Sequence, residues 1–292
     1  MSGEKGWITC WKKLLFFFRR HVLINGHATE TISASDRGLH YGDGLFETLA
    51  VIGGVPCLWQ RHMRRLCQGC DRLGMQRPDT HLLRDEAKRE AGETSKGVLK
   101  IMLTRGSGGR GYMPPPSPGC SRLLQVFPWP DYPSNWAFEG VEARVCNSRL
   151  GRNETLAGIK HLGRLEQVLA RAEWDDPEIA EGLMLDTEGR LIEGTMSNLF
   201  LRKGDRLYTP ELNACGIAGV VRGLVMDLAA ESGLTVRETT LFPKDIFQAE
   251  AAFLTNSVIG FWPVKRVQDH ELGVPALPQA FSKHLLAKVY SH

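Results

Sequence analysis

The stretch LTRGSGGRGYMPPP, Leu103 to Pro116, decides the fold, because it contains GSGGRG, a literal match to G-x-G-x-x-G. In a dinucleotide-binding βαβ unit such a loop joins a strand to a helix, and the helix's free N–H groups hold a pyrophosphate. The strand is present: VLKIMLTR, Val98 to Arg105, reads as a buried strand. The helix is absent, since Gly111 is followed by YMPPPSPG, whose four prolines remove amide donors and clash with a helical backbone. About twenty residues on, where an acid should end a second strand and take the ribose, Asp131 stands inside PWPDYP. These two failures exclude a Rossmann fold and an NAD site. What remains is a glycine loop carrying Arg105 and Arg110. Glycine lets backbone approach a ligand closely and a guanidinium fork suits a carboxylate, while solvated arginines on a surface loop are the plainer reading of the same residues.

Outward from the loop, strands and helices interleave irregularly, which predicts an α+β or mixed α/β chain of two domains. On the N-terminal side, Val22 to Asn25 is a short strand. Phe46 to Trp59 is a hairpin turning on Gly53 and Gly54, with helices expected over 60–73 and 82–91. The strand 98–105 and one over 122–127 complete this half. Three prolines in PWPDYPSNW, Pro128 to Trp136, mark a linker. Beyond it come a strand near 138–145, a helix over 162–173, the strand EGLMLDT, the stretch LIEGTMSNLFLR, a helix over 220–232, a strand from Ala251 and a terminal helix near 278–290. The resulting plan is an N-terminal extension over 1–21, a smaller α/β domain over 22–127, a linker over 128–136 and a larger domain over 137–292.

Charge and cysteines narrow the class. Of 36 basic and 33 acidic residues in this 292-residue chain, five and one fall in the first twenty positions, so the body is close to neutral. That excludes nucleic acid, which needs a basic face on the folded domain. The apolar core of the N-terminal segment, LLFFF, is too short for a signal peptide, and nothing later is long enough to span a bilayer. Seven cysteines, an odd number without framework spacing, read as reduced thiols in a cytoplasmic protein. Cys67 and Cys70 form a C-x-x-C, but Met63, Leu66, Cys67, Cys70 and Leu73 share one helical face, so both thiols belong to a core and no metal site is expected.

Two residues carry candidate chemistry. Lys160 lies in LAGIKHLGRLEQVLARAE between Ile159 and Leu162, ahead of an apolar stripe of Leu162, Leu165, Val168 and Leu169. Partial desolvation there lowers an ammonium pKa and frees the amine for Schiff-base chemistry. A snorkelling surface lysine competes with this reading. Glu193, in LIEGTMSNLF, could hold the proton of a pyridine nitrogen, or be an ordinary strand carboxylate.

Taken together, five motifs in register resemble one family: YGDGLFET (Tyr41 to Thr48), HMRRL (His62 to Leu66), GIKH around Lys160, EGTMSNLF (Glu193 to Phe200) and GIAGVVR (Gly216 to Arg222). They are similar to those of the fold-type IV pyridoxal-phosphate enzymes, which include branched-chain and D-amino-acid aminotransferases and aminodeoxychorismate lyase. Within that family RGSGGRGY and LGRNETLAGIKHLGRLEQVL look most like the lyase branch, with one departure, Gly163, where that branch carries Asn. The resemblance implies a two-domain fold with pyridoxal 5′-phosphate between the domains, Lys160 as Schiff-base lysine and base, and Glu193 as partner of the pyridine nitrogen. It implies Arg65, the backbone N–H groups of Val220 and Val221, and the Ser257 hydroxyl as phosphate ligands, with Asn256 at phosphate or substrate. It puts Arg105 on a substrate carboxylate and Tyr41 and Thr48 at the substrate, in a motif near the cofactor. The implied activity is a small-molecule lyase reaction, 4-amino-4-deoxychorismate to 4-aminobenzoate and pyruvate, in a homodimer. An aminotransferase on the same scaffold is the alternative.

Overall fold

A computed structural model of the chain describes residues 22–116 and 119–291; the segment 1–21, read above as an extension, lies outside the described residues. A six-stranded sheet forms from β1 (Val22–Ile24), β2 (His27–Ala28), β3 (Gly44–Ile52), β4 (Val55–Pro56), β5 (Lys96–Thr104) and β6 (Ser121–Pro128). Its order is β2-β1-β6-β5-β3-β4, and every pairing is antiparallel. The β3–β4 hairpin turns on Gly53 and Gly54, both at positive φ (56° and 78°), as a tight turn matching strand twist requires. A side chain on Gly54 would meet the Gly92 carbonyl oxygen at 2.5 Å. Helices α1 (Arg37–Tyr41), α2 (Trp59–Leu73) and α3 (Thr80–Ala91) accompany this sheet. Leu66 of α2 and Leu83 of α3 join Leu49, Leu99 and Leu124 in one core. Cys70 is fully buried in it, its thiol pushed up to about 12 by that burial, as the helical spacing predicts.

A second, mixed sheet holds β7 (Val141–Leu150), β8 (Ile179–Asp186), β9 (Leu191–Gly194), β10 (Asn198–Lys203), β11 (Arg206–Pro210), β12 (Thr235–Thr239), β13 (Ala251–Asn256), β14 (Gly260–Val267) and β15 (His270–Glu271). Its main path runs β12-β11-β10-β13-β14-β7-β8-β9, with β15 paired to β14. The β14–β7, β7–β8 and β11–β12 pairs are parallel. Helices α4 (Trp136–Glu139), α5 (Leu165–Arg171), α6 (Val220–Glu231), α7 (Pro243–Ile246) and α8 (Gln279–Val289) accompany it. Val221 and Leu224 of α6 and Leu285 of α8 pack with Phe200 and Phe253, whose rings stack 4.9 Å apart.

Three local expectations change. The strand near 138–145 begins only at Val141, because Trp136–Glu139 makes a helical turn that ends at Gly140 with φ 84°. The helix expected over 162–173 shortens to Leu165–Arg171. Ahead of it the backbone bonds to the other sheet instead: Phe46 N–H donates to the Lys160 carbonyl at 2.9 Å and Leu162 N–H to the Gly44 carbonyl at 2.9 Å. The apolar stripe on that helix faces outward, with Leu165, Val168 and Leu169 exposed by 77%, 60% and 63%, while Gln167 and Ala170 face in. The glycine loop forms no helix among its described residues; Arg37 fastens it by donating to the Gly111 and Tyr112 carbonyls, each at 3.0 Å.

Candidate active site

The two backbone bonds that shorten α5 also present Lys160. Held between β3 and the loop before α6, where Gly158 bridges Ile217, the lysine faces a cavity of about 400 Å³. Its walls come from both sheets: Phe46, Thr48 and Val98 from the first, Glu193 and its following turn and Thr255 to Val258 from the second. Lys160 Nζ lies 4.3 Å from the Phe46 ring centroid. Burial, and then the positive charge of Arg65, lowers its pKa to about 7. Near neutrality a large fraction of this amine is unprotonated and nucleophilic.

Glu193, on β9, is buried beneath the same cavity and accepts one hydrogen bond, from the Ile217 N–H at 2.8 Å. Burial outweighs that bond and the charges of Arg164 and Lys160, raising its pKa to about 7. The GIAGVVR segment is positioned by Asn198, whose Nδ2 donates to the Ile217 carbonyl at 2.9 Å. Gly219 is the extended N-cap of α6, and a Cβ there would collide with Asn198 Oδ1. The first-turn N–H groups of a helix have no intrahelical acceptors and favour an anion. Val220 lines the cavity, whereas the Val221 side chain is buried in the core behind it.

Arg65 spans the gap between α2 and this helix start. Its Nε and Nη2 donate to the two oxygens of Glu47, at 2.8 and 2.5 Å, and its Nη1 donates to the Ala218 carbonyl at 3.1 Å. Glu47 also accepts from His62 Nδ1 at 2.6 Å. These donors outweigh the burial of Glu47 and hold its carboxyl down at about 2, while burial lowers the pKa of His62. A basic cleft of about 510 Å³, lined by Arg61, Arg64, Arg65 and Arg72, adjoins the cavity and shares Arg65, Gly219 and Val220 with it.

The remaining expected residues divide. Ser257 lines the cavity and its hydroxyl donates to the Thr48 carbonyl at 2.5 Å. Asn256 lines it too, but its Oδ1 accepts from Val258 and Ile259 N–H and its Nδ2 donates to the Met196 carbonyl, so it shapes the wall. Arg105 and Tyr41 are not in the cavity. Arg105 is buried, with Nε on Asp43 at 2.8 Å and its Nη groups on the Gly74 and Leu73 carbonyls at 3.0 and 2.8 Å. Every nitrogen of Arg105 donates within the chain, and the side chain braces the end of α2. Tyr41 is half-exposed against the glycine loop, its hydroxyl accepting from Gly111 N–H at 3.2 Å. Gly163, the departure from the lyase pattern, lines a neighbouring pocket and not the cavity of Lys160. Glu47, Arg164 and Gln167 were not singled out by the motifs; a charged residue inside the apolar run GLFETLAVI was the available signal for the first.

The class IV aminotransferase family model matches residues 44–267, and the chain belongs to that family. It is 34% identical to aminodeoxychorismate lyase of Vibrio harveyi over 85% of this chain and 92% of that protein. The structure of 4-amino-4-deoxychorismate lyase from Pseudomonas aeruginosa superposes with a TM-score of 0.85 at 41% identity, covering 92% of this chain and 97% of that one. The branched-chain-amino-acid aminotransferase of Escherichia coli is 27% identical over 83% of this chain and 82% of its own. Pyridoxal 5′-phosphate is the cofactor of this family, and the residues present fit it. An amine whose pKa burial lowers to about 7, a buried carboxylate with one hydrogen bond, and a helix start beside an arginine match the carbonyl, ring nitrogen and phosphate of that molecule.

Proposed function

We propose that this chain is a pyridoxal-phosphate-dependent lyase that converts 4-amino-4-deoxychorismate to 4-aminobenzoate and pyruvate. The observation that carries the choice of reaction is the gradient of similarity: 41% and 34% identity to two lyases against 27% to the aminotransferase. Bound in the cavity, pyridoxal phosphate supplies a carbonyl that condenses with amines and a ring that draws electron density from the carbon bearing the substrate amine. Lys160 would be the amine that tethers it and the base that takes the proton from that carbon. Glu193 keeps a proton on the ring nitrogen. Arg65, the N–H groups of Val220 and Val221, and Ser257 hold the phosphate, and Thr48 and Asn256 complete the wall. Loss of the enolpyruvyl ether from the neighbouring carbon leaves an aromatic ring, so the atoms of the substrate divide between the two products without a co-reactant. The exposed apolar stripe on α5 supports a homodimer, and free cysteines at all six described positions support a cytoplasmic setting. The domain boundaries we assign are those of the sequence, with 128–136 as linker.

The test is product analysis. Purified protein with bound cofactor should release equimolar 4-aminobenzoate and pyruvate from 4-amino-4-deoxychorismate. Rapid glutamate formation from branched-chain or D-amino acids and 2-oxoglutarate, without 4-aminobenzoate, would establish the aminotransferase alternative.

A further inference from the structure

With Arg105 engaged elsewhere, the cavity needs another partner for an anionic substrate. Of the cations that line it, Lys160 is the tether and base, and Arg65, held by Glu47 and the Ala218 carbonyl beside the start of α6, is the one assigned to the phosphate. Arg164 is the third. Its Nε donates to the His161 carbonyl at 2.9 Å. Its two Nη groups make no hydrogen bond or ion pair among the described residues. Three residues on, one helical turn along the same face, stands Gln167. It is only 9% exposed, its Oε1 is buried without a partner, and with Arg164 it forms the wall between this cavity and the neighbouring pocket of Gly163. With Oε1 the buried atom, the amide's accessible end is Nε2, a donor that makes no hydrogen bond among the described residues. An unpaired guanidinium fork beside an unpaired amide is the donor set that a carboxylate, with about four acceptor positions, satisfies.

We infer that Arg164 and Gln167 form the subsite for a carboxylate of the substrate, taking the place expected for Arg105. This rests on the lyase reading, in which the substrate carries two carboxylates and the product 4-aminobenzoate keeps one. It also gives a use to RLEQ (Arg164 to Gln167), part of the stretch that resembles the lyase branch. Burial lowers the pKa of Arg164, and the carboxylate that acts on it most strongly, Glu193, lies beyond ion-pair distance, so a bound anion would be its principal partner.

The experiment measures 4-aminobenzoate affinity by calorimetry on cofactor-loaded protein, alongside cofactor absorbance after dialysis and KM and kcat for 4-amino-4-deoxychorismate. Arg164→Met should weaken 4-aminobenzoate binding on the order of 10- to 100-fold, the worth of a charge-assisted hydrogen bond. KM should rise more than kcat falls, with the absorbance retained. Arg164→Lys should recover part of the affinity, since it restores charge without the fork. Gln167→Leu should cost roughly three- to tenfold, as a neutral bond does. Wild-type affinity in Arg164→Met would overturn the subsite, as would loss of bound cofactor in both Arg164 variants. If the wild-type protein itself neither binds 4-aminobenzoate nor makes it, the lyase reading fails, and that result is separable because it needs no variant.

Discussion

Glu47 on β3 and Glu193 on β9 are the same side chain, exposed by 1% and 4%, yet they end on opposite sides of the ordinary glutamate pKa. Burial pushes both up. Around Glu47 the push is overcome by two bonds from Arg65 and one from His62, and the carboxyl falls to about 2. Around Glu193 a single backbone N–H is too little, and the carboxyl rises to about 7. The first region is a closed ion network in which charge is already balanced. The second is an open one, whose carboxylate, in the function proposed, finds its partner in a protonated ring nitrogen. The number of donors on each carboxylate, more than its burial, separates the two glutamates.

Lys160 feels both carboxylates and provides the largest test. Lys160→Ala should lower turnover by on the order of 10²- to 10⁴-fold or more, since it deletes the tether together with the base, while thermal unfolding of the cofactor-free protein stays close to wild type. Production of 4-aminobenzoate at a normal rate would remove Lys160 from the reaction.

The two glutamates should then fail differently. Glu47→Gln breaks a buried ion pair and leaves the Arg65 charge uncompensated, which costs about 3–5 kcal/mol of stability. Because the folded pKa of Glu47 lies below that of the free side chain, its contribution is present above pH 4.5 and lost as pH falls toward 2. Urea titrations across that range should show this acid sensitivity in the wild type and its loss in the variant. Glu193→Gln should behave in the reverse manner. Its folded pKa is raised, so in the cofactor-free protein Glu193 favours folding below pH 4.5 and this is lost as pH rises through about 7. The glutamine variant should flatten that window, keep bound cofactor, and turn over roughly 10²-fold more slowly because an amide cannot hold the ring proton. Equal acid sensitivity in both variants would erase the distinction.

The sequence made the residues around Glu193 legible and much of the network around Glu47 opaque. Lys160, Glu193 and the start of α6 sit in motifs whose residue types carry chemistry wherever they fold. Arg105 stood in such a motif too, and what removed it from the cavity was long-range: Asp43 and the carbonyls of Leu73 and Gly74 take its donors across thirty or more residues of chain. The same holds for α5. Its apolar stripe had the period of a core face, but Phe46 and Gly44 capture the backbone before it and turn Leu165, Val168 and Leu169 outward. Periodicity gives which residues share a face, and only tertiary contact gives where the face points. The strands Arg206–Pro210 and Thr235–Thr239 escaped for a related reason, being short and, in the second case, largely exposed, with little alternation for a pattern to register.

The smallest expected effect lies where the two regions meet. Ser257, next to the end of β13, donates to the carbonyl of Thr48, the residue after Glu47, and so ties the open half of the site to the closed one. A neutral hydrogen bond of this kind is worth about 0.5–1.5 kcal/mol. Ser257→Ala should therefore lower stability by no more than that in the cofactor-free protein. If the same hydroxyl also holds a bound phosphate, cofactor affinity should fall by a further factor of up to about ten, and Ser257→Thr should restore it. Comparing pyridoxal phosphate with pyridoxal separates the two roles: a loss confined to the phosphorylated form places Ser257 at the phosphate, and an equal loss for both makes it a strut between the sheets. The strut alone would leave Arg65 and the first turn of α6 as the whole of the anion cup, so that the phosphate would be held by the closed network and one helix start, with nothing contributed from the end of β13.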